Sequence, residues 1–391
     1  MIERVKESCV GCGACAAVCP INAIEMKKNK VGFIYPEVNN RCIKCGKCLK
    51  ACAEYTPIER HVGRAFYYQS EDKNILKRST SGGAFYEIAS WFISIGGVVY
   101  GCAFNQELKA RHIRVDNIFE LTKLQDSKYM QSDMSDVYRK IEKDLKKNIP
   151  VLFSGTPCQV AAVKRIIGVK NNLYTIDIVC HGVSSQKLFD KYLDGVESKY
   201  KCKVVSYSFR SKSNGGWSSK GEAVITRNNR QRKVLIYPSQ NYYYFAFLNA
   251  HIFRPNCYGC QYADLNRVGD ITLGDFWGIE NHIKENVKDG FSLVLVNSEK
   301  GRNIILDAMI KAVECDILWA TKENGQLDHP QQKPEFYDEI MNYMSNHTPK
   351  EIEALYKEKF RRQMFMARIK ERMPYFVRIA LKKVHNKWRN R

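Results

Sequence analysis

The period of apolar and polar positions changes three times along the 391 residues. Residues 1–56 read as short strands, cysteine loops and two brief helices, with VGFIYPEVN at 31–39 as a hairpin-like return. A linker to about Arg78 contains a strand in RAFYYQS. Ser79, Thr80, Ser81, Gly82 and Gly83 then form a capped turn, followed by a helix from Ala84 to Ile95 and a strand from Val98 to Ala103. PVLFSG at 150–155 and LYTIDIVC at 173–180 are buried-type strands, each running into a turn and a helix. Such units predict a parallel or mixed sheet with crossover helices. After Lys201, VVSYSFR, EAVITR and KVLIYP alternate as antiparallel strands do, and ITLGDFWG and FSLVLVNSEKGRNII read as further strands. From Pro349 the chain reads as helix. The expected fold class is α+β, with a small cysteine-rich module fused to an α/β body that has a mixed or antiparallel sheet region and ends in a helical tail.

The cysteines give the first module its chemistry. Cys9, Cys12, Cys15 and Cys19 lie in CVGCGACAAVCP, and Cys42, Cys45, Cys48 and Cys52 in CIKCGKCLKACA. This is the C-x2-C-x2-C-x3-C run of two 4Fe-4S clusters, a ferredoxin-like arrangement in which the fourth cysteine of each run crosses to the other cluster. One cluster then takes Cys9, Cys12, Cys15 and Cys52, the other Cys42, Cys45, Cys48 and Cys19. Pro20 follows the first run but Ala53 the second, which softens a turn and removes no ligand. A zinc module has no use for the crossed pattern.

Charge and the remaining cysteines narrow the setting. Hydrophobic residues make up 45% of the chain, ordinary for a soluble protein. The odd total of 15 cysteines argues against a disulfide scaffold, and Cys9 comes too early to leave room for a leader. Thiolates and clusters point to a cytoplasmic location. Net charge is +21, and from Lys357 to Arg391 there are 13 Lys or Arg against Glu358 and Glu371. Met364, Phe365, Ile369, Phe376, Ile379, Leu381 and Trp388 interleave with these cations, so the tail at 346–391 suits an acidic partner or the inner face of a membrane, or packs against the chain's own body. No apolar stretch reaches 18 residues, so no span is expected. Helix-turn-helix, zinc-finger and RNA-recognition patterns are absent, so nucleic acid is not an expected partner.

Cys158 and Cys180 stand at the ends of expected strands, and Cys257 with Cys260 makes the knuckle NCYGC. Together they suit a third 4Fe-4S site, but also a zinc site, a thiol redox pair or unligated thiols. His181 beside Cys180 is a substitute ligand, an acid or a structural hydrogen bonder. Cys102, Cys202 and Cys315 read as buried free thiols.

SGGAF at 81–85, KYMQS at 128–132, LFSGTPCQVAAVK at 152–164, DIVCHGVSS at 177–185 and CYGCQYADLNRVGDITLGDFWG at 257–278 resemble the coenzyme F-420 hydrogenase/dehydrogenase beta-subunit family, which includes the 7-hydroxymethyl chlorophyll reductase of plants. The resemblance runs from about 57 to 345. It implies an FAD-binding region at 57–165, a second region with the cluster knuckle at 166–345, and Cys158, Cys180, Cys257 and Cys260 as ligands of an extra cluster near the flavin. It also makes Ser81, Gly82, Gly83, Lys128, Tyr129, Gln131 and Ser132 flavin-site candidates. Gly82 and Gly83 let backbone N–H groups approach a ring or phosphate, or simply make a turn. Lys128 would stabilise an anionic reduced flavin or is one of the many surface lysines, and Asp275 and Trp277 read as pocket walls, Trp277 otherwise as core packing; His181, Lys128 and Asp275 are the catalytic candidates. The loop at 209–223, with Arg210, Lys212, Trp217 and Lys220, suits an anionic or sugar-like substrate or is a plain solvated hairpin.

The expected activity is that of a flavin-dependent iron–sulfur oxidoreductase. It would pass electrons from ferredoxin or another redox protein through 4Fe-4S clusters and FAD to a small organic substrate. The rival expectation is an electron-input subunit of a larger hydrogenase or dehydrogenase complex, using reduced deazaflavin or NAD(P)H, with no organic substrate of its own. No dinucleotide-binding GxGxxG run decides between donors.

Overall fold

The computed structural model describes residues 2–5, 7–213, 215–373 and 377. Its centre is an eight-stranded mixed sheet. Across it the strands run Val313–Cys315, Arg64–Tyr68, Ser292–Val296, Ile271–Asp275, Leu173–Ile178, Val151–Gly155, Val98–Phe104 and Ala110–Val115. Four neighbours, from Ile271–Asp275 to Val98–Phe104, are parallel, and antiparallel strands flank them on both sides. Val151, Leu152, Phe153 and Ile176 are fully buried, as helices on both faces of a parallel sheet require.

The crossover helices begin where the side chains dictate. Thr156 and Gln159 form a reciprocal capping box with Pro157 in the first turn, which starts Pro157–Ile167 just past its strand. The Ser185 hydroxyl accepts from the Leu188 N–H and starts Gln186–Tyr200. Both starts place a cysteine, Cys158 or Cys180, beyond the C-terminal end of a parallel strand. One sequence expectation is corrected. The strand in FSLVLVNSEKGRNII ends at Val296; Ser298 then caps a helix, Glu299–Asp307, because its hydroxyl accepts from the Gly301 N–H.

The module at the front folds as a hairpin, Ile24–Lys28 with Ile34–Val38, and two short helices, Ala14–Ala17 and Lys47–Lys50. A three-stranded antiparallel sheet, Lys203–Ser208, Gly221–Arg227 and Arg230–Ile236, stands apart from the main one. Beneath it lies Tyr242–Leu248, whose residues 242–247 are all buried. Among the described residues no helix is long and apolar enough to cross a membrane.

The C-terminal helices Tyr337–Asn346, Pro349–Lys359 and Arg361–Arg372 are part of the body. Ile352, Tyr356, Phe360 and Met364 join the same core as Tyr242–Phe247. The one acid of the last helix, Glu371, accepts from the Ser239 N–H at 2.9 Å and from its hydroxyl. Phe365, Met366 and Ile369 stay exposed on the opposite side. Phe376, Ile379, Leu381 and Trp388 lie outside the described residues. Phe360→Ala should therefore cost about 3–5 kcal/mol in a denaturant titration. Phe365→Ala should stay within about 0.5 kcal/mol. Equal effects would mean that the helix is docked by its other face.

Candidate functional site

The cysteines fall into three neighbourhoods. Cys9, Cys12, Cys15 and Cys52 line one cavity. The Cys12 thiol is pushed up to about 12, by burial first and then by neighbouring Cys9 and Cys52. Cys15 is raised by burial and then by Cys12, Cys9 and Cys52. The crossed partner of the first run is thus within electrostatic reach of the other three. In the second neighbourhood Cys48 is raised by burial and by Cys42 and Cys45, and Cys19 packs in the same small core as Cys48.

The third neighbourhood joins the strand ends to the knuckle. Cys158 is raised by burial, then by Cys260 and Cys180. Burial pushes Cys180 up to about 12, with Cys257 and Cys260 adding to it. Cys257 reaches about 12 for the same reasons, burial first and then Cys260 among its neighbours. Cys158 also lines the cavity of the first neighbourhood, and Tyr138 stands between them, raised by burial, Cys12 and Cys158. Glu54 lines that cavity too, with one carboxylate oxygen buried and unpartnered.

Two buried arginines bracket the knuckle. Arg267 donates to Asp177 at 2.9 Å and to the carbonyls of Tyr262, Asp264 and Ile178, while the N–H groups of Val268 and Gly269 donate to the other Asp177 oxygen. Arg254, 1% exposed, donates to the carbonyls of Cys9 (2.6 Å) and Ile34 (2.8 Å) and to the Gln131 side chain (3.0 Å). It lies over the rings of Tyr35 and Phe33. No carboxylate pairs with it among the described residues.

Buried thiols that raise one another have no stable anionic form alone, and iron removes that penalty by binding them as thiolates. A buried guanidinium without a carboxylate needs an anion nearby, and a thiolate-ligated centre is one. Among the described residues no group of three or more His, Cys, Asp or Glu closes on a single metal ion. A cubane spreads its thiolates over four irons and needs a wider cage. The residues fit clusters.

The flavin candidates separate. Ser81 donates to the Phe291 carbonyl at 2.5 Å. Gly82 is fixed by packing, since a Cβ would meet the Tyr68 carbonyl at 2.0 Å; Gly83 has φ +94° and caps Ala84–Ser94. Tyr129 stacks on Phe247 at 4.3 Å and touches Phe209. Asp275, at the end of its strand, accepts from Arg210 and from the Trp217 indole at 2.9 Å. Trp217 stacks on Trp277 at 4.3 Å, and Arg210 lies over Trp277. One Arg210 nitrogen, Nη2, is buried without a partner. Lys212, pushed down to about 8 by burial, donates to the Ser81 and Leu76 carbonyls and links this aromatic group to the glycine turn. An unpartnered guanidinium nitrogen beside flat rings suits an anionic or carbonyl-bearing ring system.

Other candidates are turned elsewhere. The Lys128 ammonium, lowered by burial, donates to the carbonyls of Gln125, Lys123 and Asp126. Gln131 donates to the Val10 and Gly11 carbonyls and so grips the Cys9 loop. His181 contacts the Leu248 carbonyl at 3.2 Å between Phe247 and Phe253. Ser132 joins a buried chain in which Gln159 donates to its hydroxyl, and that hydroxyl donates to His112 Nδ1. His112 Nε2–H then donates to the Ser154 carbonyl. Arg254, Tyr138 and His112 escape sequence reading. The one local hint is that Arg254 stands three residues before Cys257.

A family model for the C terminus of the coenzyme F420 hydrogenase/dehydrogenase beta subunit matches residues 150–317, and one for a 4Fe-4S dicluster domain matches 8–57. The chain is 34% identical over 86 residues to one subunit of an ion-translocating oxidoreductase complex from Buchnera aphidicola, covering 20% of this chain and 16% of that protein. It is 43% identical over 47 residues to one subunit of the Na(+)-translocating ferredoxin:NAD(+) oxidoreductase complex of Acetobacterium woodii, covering 12% and 13%. Ferredoxin-1 of Rhodospirillum rubrum is 64% identical over 22 residues, 6% of this chain and 40% of that one. The chain thus spans less than half the length of each of these relatives. A chain of the F420-reducing [NiFe] hydrogenase complex from Methanosarcina barkeri superposes with a TM-score of 0.44 at 14% identity, over 71% of this chain and 97% of that one.

Cys9→Ser and Cys52→Ser should perturb the same paramagnetic signal of the reconstituted protein, and effects on different signals would defeat the crossed grouping. Burial pushes His112 down to about 4 from 6.5, so the neutral ring's contribution is complete above pH 6.5 and is lost as pH falls towards 4. It amounts to roughly 3 kcal/mol. His112→Gln should flatten the pH dependence of unfolding in that window; His251, also pushed to about 4 by burial, leaves a residual slope.

Proposed function

The chain belongs to the coenzyme F420 hydrogenase/dehydrogenase beta-subunit family with a 4Fe-4S dicluster domain at its front, and from that premise we propose that it is an electron-input subunit of an oxidoreductase complex. Of the two functions left open by the sequence, the comparisons favour this one over reduction of an organic substrate by a self-contained chain. Its donor would be reduced deazaflavin or NAD(P)H, and its partner a ferredoxin or another redox protein.

The observation that carries the reading is the wall shared by two cysteine neighbourhoods, since Cys158 lines the cavity of Cys9, Cys12, Cys15 and Cys52. Clusters held by these thiols would supply one-electron carriers, and a flavin near Tyr129 the exchange of a hydride for single electrons. The chain's own residues set the order of these places. Cys45 is exposed, which leaves the Cys42–Cys48 run open to a partner. Arg254 and Gln131 hold the Cys9 loop against the body. His181, next to Cys180, touches Phe247, and Phe247 stacks on Tyr129. Arg210, fixed by Asp275, would orient an anionic edge of the flavin, and Trp217 with Trp277 would keep water off it. Residues 1–56, 57–165, 166–345 and 346–391 would be the dicluster, flavin-binding, cluster-knuckle and tail regions.

A second reading keeps an organic substrate at the same place. It is favoured by the unpartnered Arg210 Nη2 beside Lys212, which suits a small anion equally well.

Anaerobically loaded protein should hold about twelve irons and one flavin per chain, and Cys257→Ala should lose about four irons and keep the rest. Full reduction by deazaflavin or NAD(P)H, with a stable hetero-complex in a pull-down, is the expected behaviour. A wild type holding only about eight irons would remove Cys158, Cys180, Cys257 and Cys260 from the path.

A further inference from the structure

A groove of about 1600 Å³ lies away from the three cysteine neighbourhoods, between the helix Gln186–Tyr200, the three-stranded sheet and the helix Pro349–Lys359. Its floor follows the strand period. Ala223, Ile225 and Arg227 line it from one strand; Arg230, Arg232, Val234 and Ile236 line it from the next. In register Ala223 faces Val234, Ile225 faces Arg232, and Arg227 faces Arg230 at the hairpin end. The inner floor is therefore apolar and continues into Tyr207, while the tip carries three arginines.

That tip is electrostatically unfavourable as it stands. Like charges directly opposite across an antiparallel pair repel. Among the described residues no carboxylate pairs with Arg227, Arg230 or Arg232. The contrast lies on the same hairpin, where Lys233 of the other face pairs with Glu222 at 3.0 Å. The groove's two acids, Asp194 and Glu353, stand on its helical walls near Tyr242, and Glu353 is already held by Lys199 and Lys357. The Tyr242 hydroxyl at that wall is buried without a hydrogen-bond partner. The tip presents unpaired cations, and beyond them Ile225 and Val234 are the partly exposed apolar part of a floor in which Ala223, Tyr207 and Ile236 are already buried.

The shape decides between occupants. A peptide laid on Ala223, Ile225, Val234 and Ile236 would bury backbone amides against side chains that cannot bond them. A bilayer surface cannot enter a concavity between two helices and a sheet. The chain's own C-terminal segment, rich in Lys and Arg, is repelled by the tip. A single alkyl chain loses no hydrogen bonds on the floor, and a phosphate head meets three guanidinium groups.

We propose that this groove binds a single-chain amphiphile with a phosphate head, the head held by Arg227, Arg230 and Arg232 and the chain lying on Ile225 and Val234. The site is independent of the electron-transfer reading, because occupancy is measured without turnover.

The test is calorimetric titration of the cluster-loaded full chain with dodecyl phosphate below its aggregation concentration. Inorganic phosphate, dodecanol, an acidic peptide and phosphatidylglycerol vesicles serve as comparators. Dodecyl phosphate should bind at least about ten-fold more tightly than inorganic phosphate or dodecanol. The triple variant Arg227→Gln, Arg230→Gln, Arg232→Gln should lose about 100-fold with a melting temperature that is not lowered, since all three side chains are exposed and their mutual repulsion is removed. Ile225→Ser should weaken dodecyl phosphate but not inorganic phosphate. Equal affinity for inorganic phosphate, tighter binding of the acidic peptide, binding to vesicles alone, or indifference to the arginine variant would each overturn the proposal.

Discussion

The arrangement depends on one buried cation. Arg254 is almost wholly withdrawn from water, yet among the described residues it has no carboxylate partner, only carbonyls, a side-chain amide and two aromatic faces. Those partners come from the Cys9 loop, the strand at Ile34 and Gln131, while its own backbone leads into the Cys257–Cys260 knuckle. A guanidinium desolvated to this degree is tolerable when negative charge stands near it. The thiols around it can supply that charge in the form that binds iron. The same side chain thus sets where the front module sits and gives the adjoining cysteine groups a reason to be ionised. Arg267 does the neighbouring work, but with Asp177 as an internal partner, so its place is fixed whether or not iron is present.

The parallel half of the sheet was legible because its strands are buried on both faces and read as short continuous apolar runs such as VLF and LYTI. The chain closes these runs with a threonine or serine cap, a local signal. Tyr242–Leu248 was not legible, because a helix that is apolar all round has no amphipathic period. The helix Glu299–Asp307 was hidden for a different reason: its first turns are the polar, glycine-bearing run EKGRN, a weak helix signal, and only the Ser298 hydroxyl marks the boundary.

The site divides along a similar line. Cysteine spacing is a local property, so the two N-terminal runs and the knuckle could be read directly. Cys158 and Cys180 followed from their places after expected strands. Gln131 could not be read, because its partners Val10 and Gly11 are more than a hundred residues away in sequence. Tyr138 and His112 face the same difficulty. The paired glycines at 82 and 83 suggested a cofactor turn, and packing alone explains the first: any side chain there would strike the backbones of Tyr68 and Ser292.

Incompletely paired cations recur at three separated places among the described residues, and in each the surroundings say what could answer them. At Arg254 the neighbours include Cys9 and Cys257, and thiolates holding a proposed cluster would answer the charge. At Arg210, where Asp275 engages one nitrogen and leaves Nη2 bare among aromatic rings, a flat group with an acceptor at its edge fits. At the Arg227–Arg230 tip the surroundings are solvent on one side and aliphatic floor on the other, which selects an amphiphile over a compact ion. A chain with net charge +21 could scatter its cations over a solvated surface, where screening makes them cheap. Arg254 and Arg210 are held instead where burial makes a cation costly, and the exposed tip arginines where guanidinium groups crowd one hairpin end.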